Sequence, residues 1–361
     1  MTPTLTRRQV LDLRVHAQQL GRVAGDPADT AVLDLGVQDT GPDGGRWALA
    51  LRGVDARDGE LATLWTLRGA PHLYRRADLP GVVAATAPFS EADAAKRVFD
   101  AAKPLRAAGI GTLEALDTVA ATMRSVVSAP MVKGEVSGRL TELLPAPYLR
   151  HCRPCDATHL FEQPFRLAAL RAGLELEPGT SPPVLRPVPG LTPATEVPPH
   201  LDVVRGYLRL LGPATPALVA GYLDAPVGDV RARWPQDAVE VTVDGERRWL
   251  LAEDAARLAG VPPARGVHLL GPFDLFLQAR DRPLLVADPA RAKTLWPVLG
   301  RPGAVLADGD VAGTWRPRKA GASLVVAVEL WAPVAREQVV TAAERLAASR
   351  GVALRQLAVT D

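Results

Sequence analysis

The sequence predicts an α+β fold of tandem helix–helix–hairpin units followed by a small β-meander. Three observations carry this. Short helical stretches precede turn-linked strand pairs at two places, prolines gather at the seams between blocks, and the last hundred residues alternate strand and turn signals around one helix. The seams divide the 361 residues into three expected blocks, 1–192, 193–264 and 265–361. Hydrophobic residues make up 47% and charged residues 23%, which suits chains that bury ordinary globular cores.

The first block opens with an amphipathic helix over 5–22, then the short apolar stretch "TAVLDLGVQDT" and a helix in "RWALALRGV". In "LATLWTLRGAPHLYRR" a period-2 pattern puts Leu61, Thr63, Trp65 and Leu67 on one side of a strand, and "HLYRR" supplies its partner. Helices are predicted at about 90–102, 111–127 and 133–144, the last burying Val136, Leu140, Leu143 and Leu144. Another begins at "EQPFRLAALRAG", with Pro164 in its first turn and Gly173 just past its end. Two short strands around a Gly/Pro turn, "LELEPGTSPPVLRPV", complete a helices-then-hairpin order.

The second block repeats that order. "LDVVRGYLRLLG" reads as a helix ending at Gly212, and "TPALVAGYL" as a helix with Thr215 as N-cap and Pro216 at its first position. "PVGDVRARW" forms a third, burying Val227, Val230 and Trp234. The hairpin "AVEVTVDGERRWLL" turns on Asp244-Gly245. Three short helices and a hairpin make a winged-helix unit (helix-turn-helix plus wing), so the fold class is tandem winged-helix modules. The third block is a meander turning at Asp308-Gly309 and Ala320-Gly321, covered by the helix "AREQVVTAAERLAASRG" and closed by a final strand as a barrel-like sheet.

Charge excludes little, since 42 basic against 40 acidic residues leave a net +2. A polyanion partner would need clustered arginines, because phosphate attraction is screened within about 8–10 Å. No apolar run approaches the roughly 18 residues that span a bilayer, and the N-terminus lacks a secretory core, so a cytoplasmic chain without membrane contact is expected. Two cysteines rule out a disulfide framework. In "RHCRPCDATH", His151, Cys152, Cys155 and His159 include a zinc-like C-x-x-C. There is no second knuckle, and so compact a set rarely satisfies tetrahedral geometry unaided, so buried or capping roles are expected and no metal is assigned.

Five stretches in order, "LGVQDT", "WTLRGAPHLYRRADLP", "YLRLLGPATPALVAGYL", "GPFDLFLQARDR" and "ADGDVAGTWRPRKAG", resemble the AlkZ/YcaQ family of winged-helix DNA glycosylases over nearly the whole chain. The resemblance implies stacked winged helices that bind double-stranded DNA as a monomer, act on alkylated bases and need no cofactor. The family motif Gln-x-Gln or Gln-x-Asp places its first member on Gln38. The third position is Thr40 instead, and Asp39 supplies a carboxylate one residue early. Strand alternation aims Asp39 away from the side shared by Gln38 and Thr40. Catalytic candidates are Gln38, Asp39 and Thr40. His72, which matches a histidine in the family's comparable stretch, is expected to line the pocket.

Breaking an N-glycosidic bond passes through an oxocarbenium-like transition state. A purine alkylated at N7 or N3 already carries positive charge and leaves readily, so the enzyme's main task is to place a water. An amide with one acceptor and two donors does this. The expected phosphate contacts are Arg75 and Arg76, the wing pair Arg247 and Arg248, and Arg316, Arg318 and Lys319, all on hairpins or their edges. The helix "PVGDVRARW" shows Gly228, Asp229 and Ala232 outward, which suits damage or shape recognition better than reading a base sequence. Two readings stay open, a DNA glycosylase for alkylated purines and a non-catalytic winged-helix DNA binder, either a transcriptional regulator or a damage-shape sensor.

Overall fold

The structure, a computed structural model, describes residues 2–41, 44–57 and 59–360, and the side chains of Cys155, Lys319 and Ala320 lie outside the described set. The fold is mixed α+β, with two compact units that are each discontinuous in sequence. One gathers 1–56, 204–219 and 235–361, and the other gathers 57–203 and 220–234. No helix among the described residues is long and apolar enough to cross a membrane.

In the first unit, helix Arg7–Ala17 is held at its start by a capping box between Thr6 and Gln9. It buries Val10, Leu11, Leu13 and Val15. The hairpin Ala238–Val243 and Glu246–Leu251 forms as its turn chemistry predicts. Asp244 and Gly245 take φ of 50° and 81°, the two left-handed residues of a primed turn. A two-residue strand, Thr4–Leu5, adds to it in parallel. Thr215 caps the following helix as expected, its Oγ1 accepting from Leu218 N at 3.3 Å.

The C-terminal strands Val267–Leu270, Gly303–Ala307, Asp310–Ala320, Ser323–Leu330 and Ala353–Thr360 pair in sequence order. The first four form an antiparallel meander. The last runs parallel to its neighbour after the crossover helix Arg336–Ser349. The expected barrel-like closure is absent among the described residues, because no pairing joins the two edge strands and the sheet stays open. Gly313 permits a close approach in this sheet, since a Cβ there would stand 2.2 Å from the Glu329 carbonyl oxygen.

Buried ion pairs tie the first unit together. Arg14 grips Asp281 at 3.0 and 2.7 Å, and Arg52 grips Asp274 at 2.9 and 3.0 Å. Removing one member of such a pair strands a buried charge and costs about 3–5 kcal/mol.

In the second unit, strands Pro71–Arg75, Leu61–Trp65, Leu174–Leu176, Val184–Pro187 and Met131–Val132 pair antiparallel in that order. Helices Thr112–Val126, Lys133–Leu143 and Glu162–Arg171 cover a core of Val119, Met123, Val136, Leu140, Phe165 and Leu185. Trp65 meets Phe165 edge-on, ring centroids 5.8 Å apart. Leu143 corrects the sequence expectation by being 60% exposed. Only the i, i+4, i+8 stripe of Val136, Leu140 and Leu144 faces the core, so the apolar seam is one side chain wide.

Candidate functional site

Helix Val32–Leu35 is anchored through Asp34, whose Oδ2 accepts from Arg209 at 2.6 Å. It ends at Gly36, with φ 87° and ψ 136°, a backbone region open to glycine at little cost. Strand Val37–Gln38 follows at once, so Gly36 sets where Gln38 emerges. Gln38 is 9% exposed, and its Nε2 donates to Thr40 Oγ1 at 2.9 Å. The amide and the hydroxyl therefore share one side of the extended segment, as the two-residue spacing requires.

Asp39 faces elsewhere. Its Oδ1 accepts from Gly45 N at 2.8 Å, at the start of helix Gly44–Ala50. A carboxylate there satisfies a first-turn N–H and complements the helix dipole. The same helix is fixed by Trp47, whose Nε1 donates to Leu269 O at 2.7 Å. The local order is thus an amide paired with a hydroxyl, and a carboxylate turned to structural use.

His72 lies in the other unit, on strand Pro71–Arg75, with no exposed surface. Its Nδ1 sits 2.9 Å from Ala70 O, so Nδ1 carries the proton and donates. Thr66 Oγ1 is 3.0 Å from that nitrogen and 3.2 Å from the Tyr74 hydroxyl. Burial pushes the imidazole down to about 3, and the Arg68 charge adds to the effect. Sequence reasoning expects His72 to line the pocket. It is an enclosed, neutral strand histidine with no exposed surface.

The arginine candidates separate by partner. Arg75 is tied to Asp78 at 3.0 Å and Arg76 to Glu175 at 2.8 Å. Arg247 pairs with Glu240 across the hairpin. Arg248 is buried against Asp281, with Glu246 at 3.1 Å, and so is a fold-holding arginine rather than a surface phosphate contact. Arg316 and Arg318 are exposed, and neither has an ion-pair partner among the described residues. In register they oppose Ala327 and Val325, on the side away from the buried Leu324, Val326 and Val328. The Lys319 side chain lies outside the described residues.

On helix Val227–Ala232, Asp229 accepts from Ser90 Oγ at 2.7 Å and Arg233 stacks 4.4 Å over the Phe89 ring. Its polar side is thus partly engaged within its own unit.

In the strand pair Leu149–Cys152 and Ala157–Leu160, Arg150 opposes His159 and His151 opposes Thr158. Cys152 and His159 share one face and His151 lies on the other, so the three cannot converge on one ion. No three potential ligands cluster among the described residues, and the Cys155 side chain lies outside them.

Sequence reading passed over Arg282, whose guanidinium lies 4.9 Å over Trp296 and has no carboxylate partner among the described residues. Burial lowers its pKa, and the nearby Arg301 charge lowers it further. The stretch "QARDRP" holds only one acid among its cations, a weak signal that pairing alone could have sharpened.

A family model described as DNA glycosylase AlkZ-like matches residues 32–349. The solved structure of Streptomyces sahachiroi DNA glycosylase AlkZ is similar with a TM-score of 0.75 at 20% identity, over 99% of this chain and 100% of that one. At that identity the likeness speaks for the fold. No curated protein sequence matches.

Proposed function

Because the chain belongs to the AlkZ-like DNA glycosylase family, we propose that it excises N7- or N3-alkylated purines from double-stranded DNA by hydrolysis. The observation that supports this is the Gln38 amide held by Thr40 on one side of the strand. Gln38 positions the attacking water, and Thr40 fixes the orientation of the amide. The cationic base needs no acid to leave, so placement and electrostatics carry the rate. The reading also takes the sequence blocks 1–192, 193–264 and 265–361 as tandem winged-helix modules, with Arg316 and Arg318 on phosphate. The chain acts as a monomer inside the cell.

One observation favours a second reading. Asp39, the carboxylate nearest to Gln38 in sequence, is committed to Gly45 N, and Thr40 offers no charge. A DNA binder that recognises distorted duplex without cutting would need nothing more. Duplex carrying a single N7-methylguanine separates the two. Release of the free base with an abasic product, lost in Gln38→Ala, is the expected result. Binding without abasic product would leave only the sensor.

A further inference from the structure

We propose that the loop 297–302 carries a wedge that enters duplex DNA, with Val298 and Leu299 inserted at a base step and Arg282, Arg316 and Arg318 on the flanking phosphates. The proposal rests on the DNA-binding reading above and adds the element that would open the stack.

Val298 is 97% exposed and Leu299 85% exposed. Single exposed apolar residues are ordinary, but an adjacent pair at a loop tip does nothing for folding. The loop that presents them is firmly seated. Trp296 before it is buried, with Nε1 donating to Leu277 O at 3.2 Å. Arg301 after it lies 5.4 Å over the Phe273 ring, and Pro302 is buried. Pro297 and Gly300, the latter with φ 64°, bracket the tip.

The surroundings suit a polyanion. From Pro289 to Ala307 the chain holds no acidic residue and carries Lys293 and Arg301 besides Arg291, which pairs with Asp288 at 3.6 Å, and from Val311 to Val328 it holds Arg316, Arg318 and Lys319 and again no acid. Strand register brings the loop 297–302 and the stretch from Arg316 onward to one end of the sheet. Gly303 pairs with Trp315 and Ala307 with Asp310, so the loop before Gly303 leaves at the end toward which Asp310–Ala320 runs to its hairpin tip. Apolar tips with basic flanks are how proteins unstack a base step while holding the backbone, and chemistry on a base requires that base to leave the stack. Two side chains fill one such gap. They are far too few for a stable protein interface, which needs about 1,000 Å² or more.

The test uses a duplex with an abasic-site analogue flanked by 2-aminopurine. Wild-type binding is expected to raise the 2-aminopurine fluorescence severalfold. Val298→Ser/Leu299→Ser is expected to bind within about tenfold of wild type yet lose most of that rise. Both changes are on exposed side chains, and an unchanged circular dichroism melt checks the fold. An undiminished rise in the double variant overturns the wedge while leaving DNA binding intact. Failure of the wild-type chain to bind any duplex overturns both the wedge and the DNA reading. If sedimentation instead shows a wild-type dimer that the double variant dissolves, with DNA behaviour unchanged, the tip is a self-association contact and the proposal fails.

Discussion

A threonine hydroxyl 2.9 Å from the Gln38 amide nitrogen can orient that amide, but it brings no charge to a developing oxocarbenium ion. Thr40→Asp keeps the side-chain direction and adds that charge. Single-turnover release of N7-methylguanine should accelerate by about 10²-fold or more. A variant no faster than wild type would remove Thr40 from the chemistry. Asp39→Asn should act on stability instead, since it weakens a helix start by about 1 kcal/mol. Buried titratable groups make a second residue-scale prediction. His72 is held neutral, its folded pKa of about 3 lying below the ordinary 6.5. The unfolded chain takes up that proton first, so this group removes stability as pH falls from about 6.5 toward 3. Asp254 works the other way. Burial, with Glu253 adding its charge, raises it to about 6 from an ordinary 3.8, and its buried Oδ2 has no partner among the described residues. The folded chain holds that proton longer, so stability is lost as pH rises from about 4 to 6 and stays lower above. Asp254→Asn should therefore stabilise the protein at pH 7.5 by on the order of 1 kcal/mol and have little effect at pH 4. Urea melts at the two pH values check this, and an equal effect at both would refute the assignment.

On the proposed reading, the helix–strand junction at Gly36 makes an element boundary a functional constraint. Alanine at φ 87° is strained by about 1–3 kcal/mol, and relief by rotation would swing Val37–Gln38. Gly36→Ala should therefore lower the melting temperature and reduce base release together, whereas Gln38→Ala should abolish release at a stability cost of about 1–3 kcal/mol for the lost buried hydrogen bond. Equal activity of Gly36→Ala and wild type would mean that the junction does not aim the amide. Elements of this kind were legible to different degrees. The hairpin at Asp244-Gly245 and the helix after Thr215 were readable because their signals are local turn and cap chemistry. The strand Thr4–Leu5 was not, since its partner Ala238–Val243 lies more than 230 residues away and two residues carry no period. Leu143 was misread for a related reason. Periodicity marks a face of the helix, but how much of that face is covered depends on what packs against it.

At the scale of the whole chain, a net charge of +2 says nearly nothing about DNA, because the outcome depends on which cations lack an acid. The sequence showed arginine clusters on hairpins, yet it could not show that Arg76 reaches Glu175, or that Arg248 turns inward to Asp281. Those acids lie 99 and 33 residues from their partners, and only the folded chain brings them together. Counterion release gives a way to read the difference. Each phosphate contact made by an uncommitted cation steepens the fall of log K with log salt by about 0.9 on duplex DNA. Arg316→Ala and Arg318→Ala should each flatten the slope by about 1 and weaken binding on every sequence tested. Arg247→Ala should leave the slope nearly unchanged, because its charge is already shared with Glu240 across the hairpin. Fluorescence anisotropy titrations from 50 to 200 mM salt measure all three. If Arg247→Ala flattens the slope as much as Arg318→Ala does, ion pairing in the free protein does not predict which arginines meet the backbone.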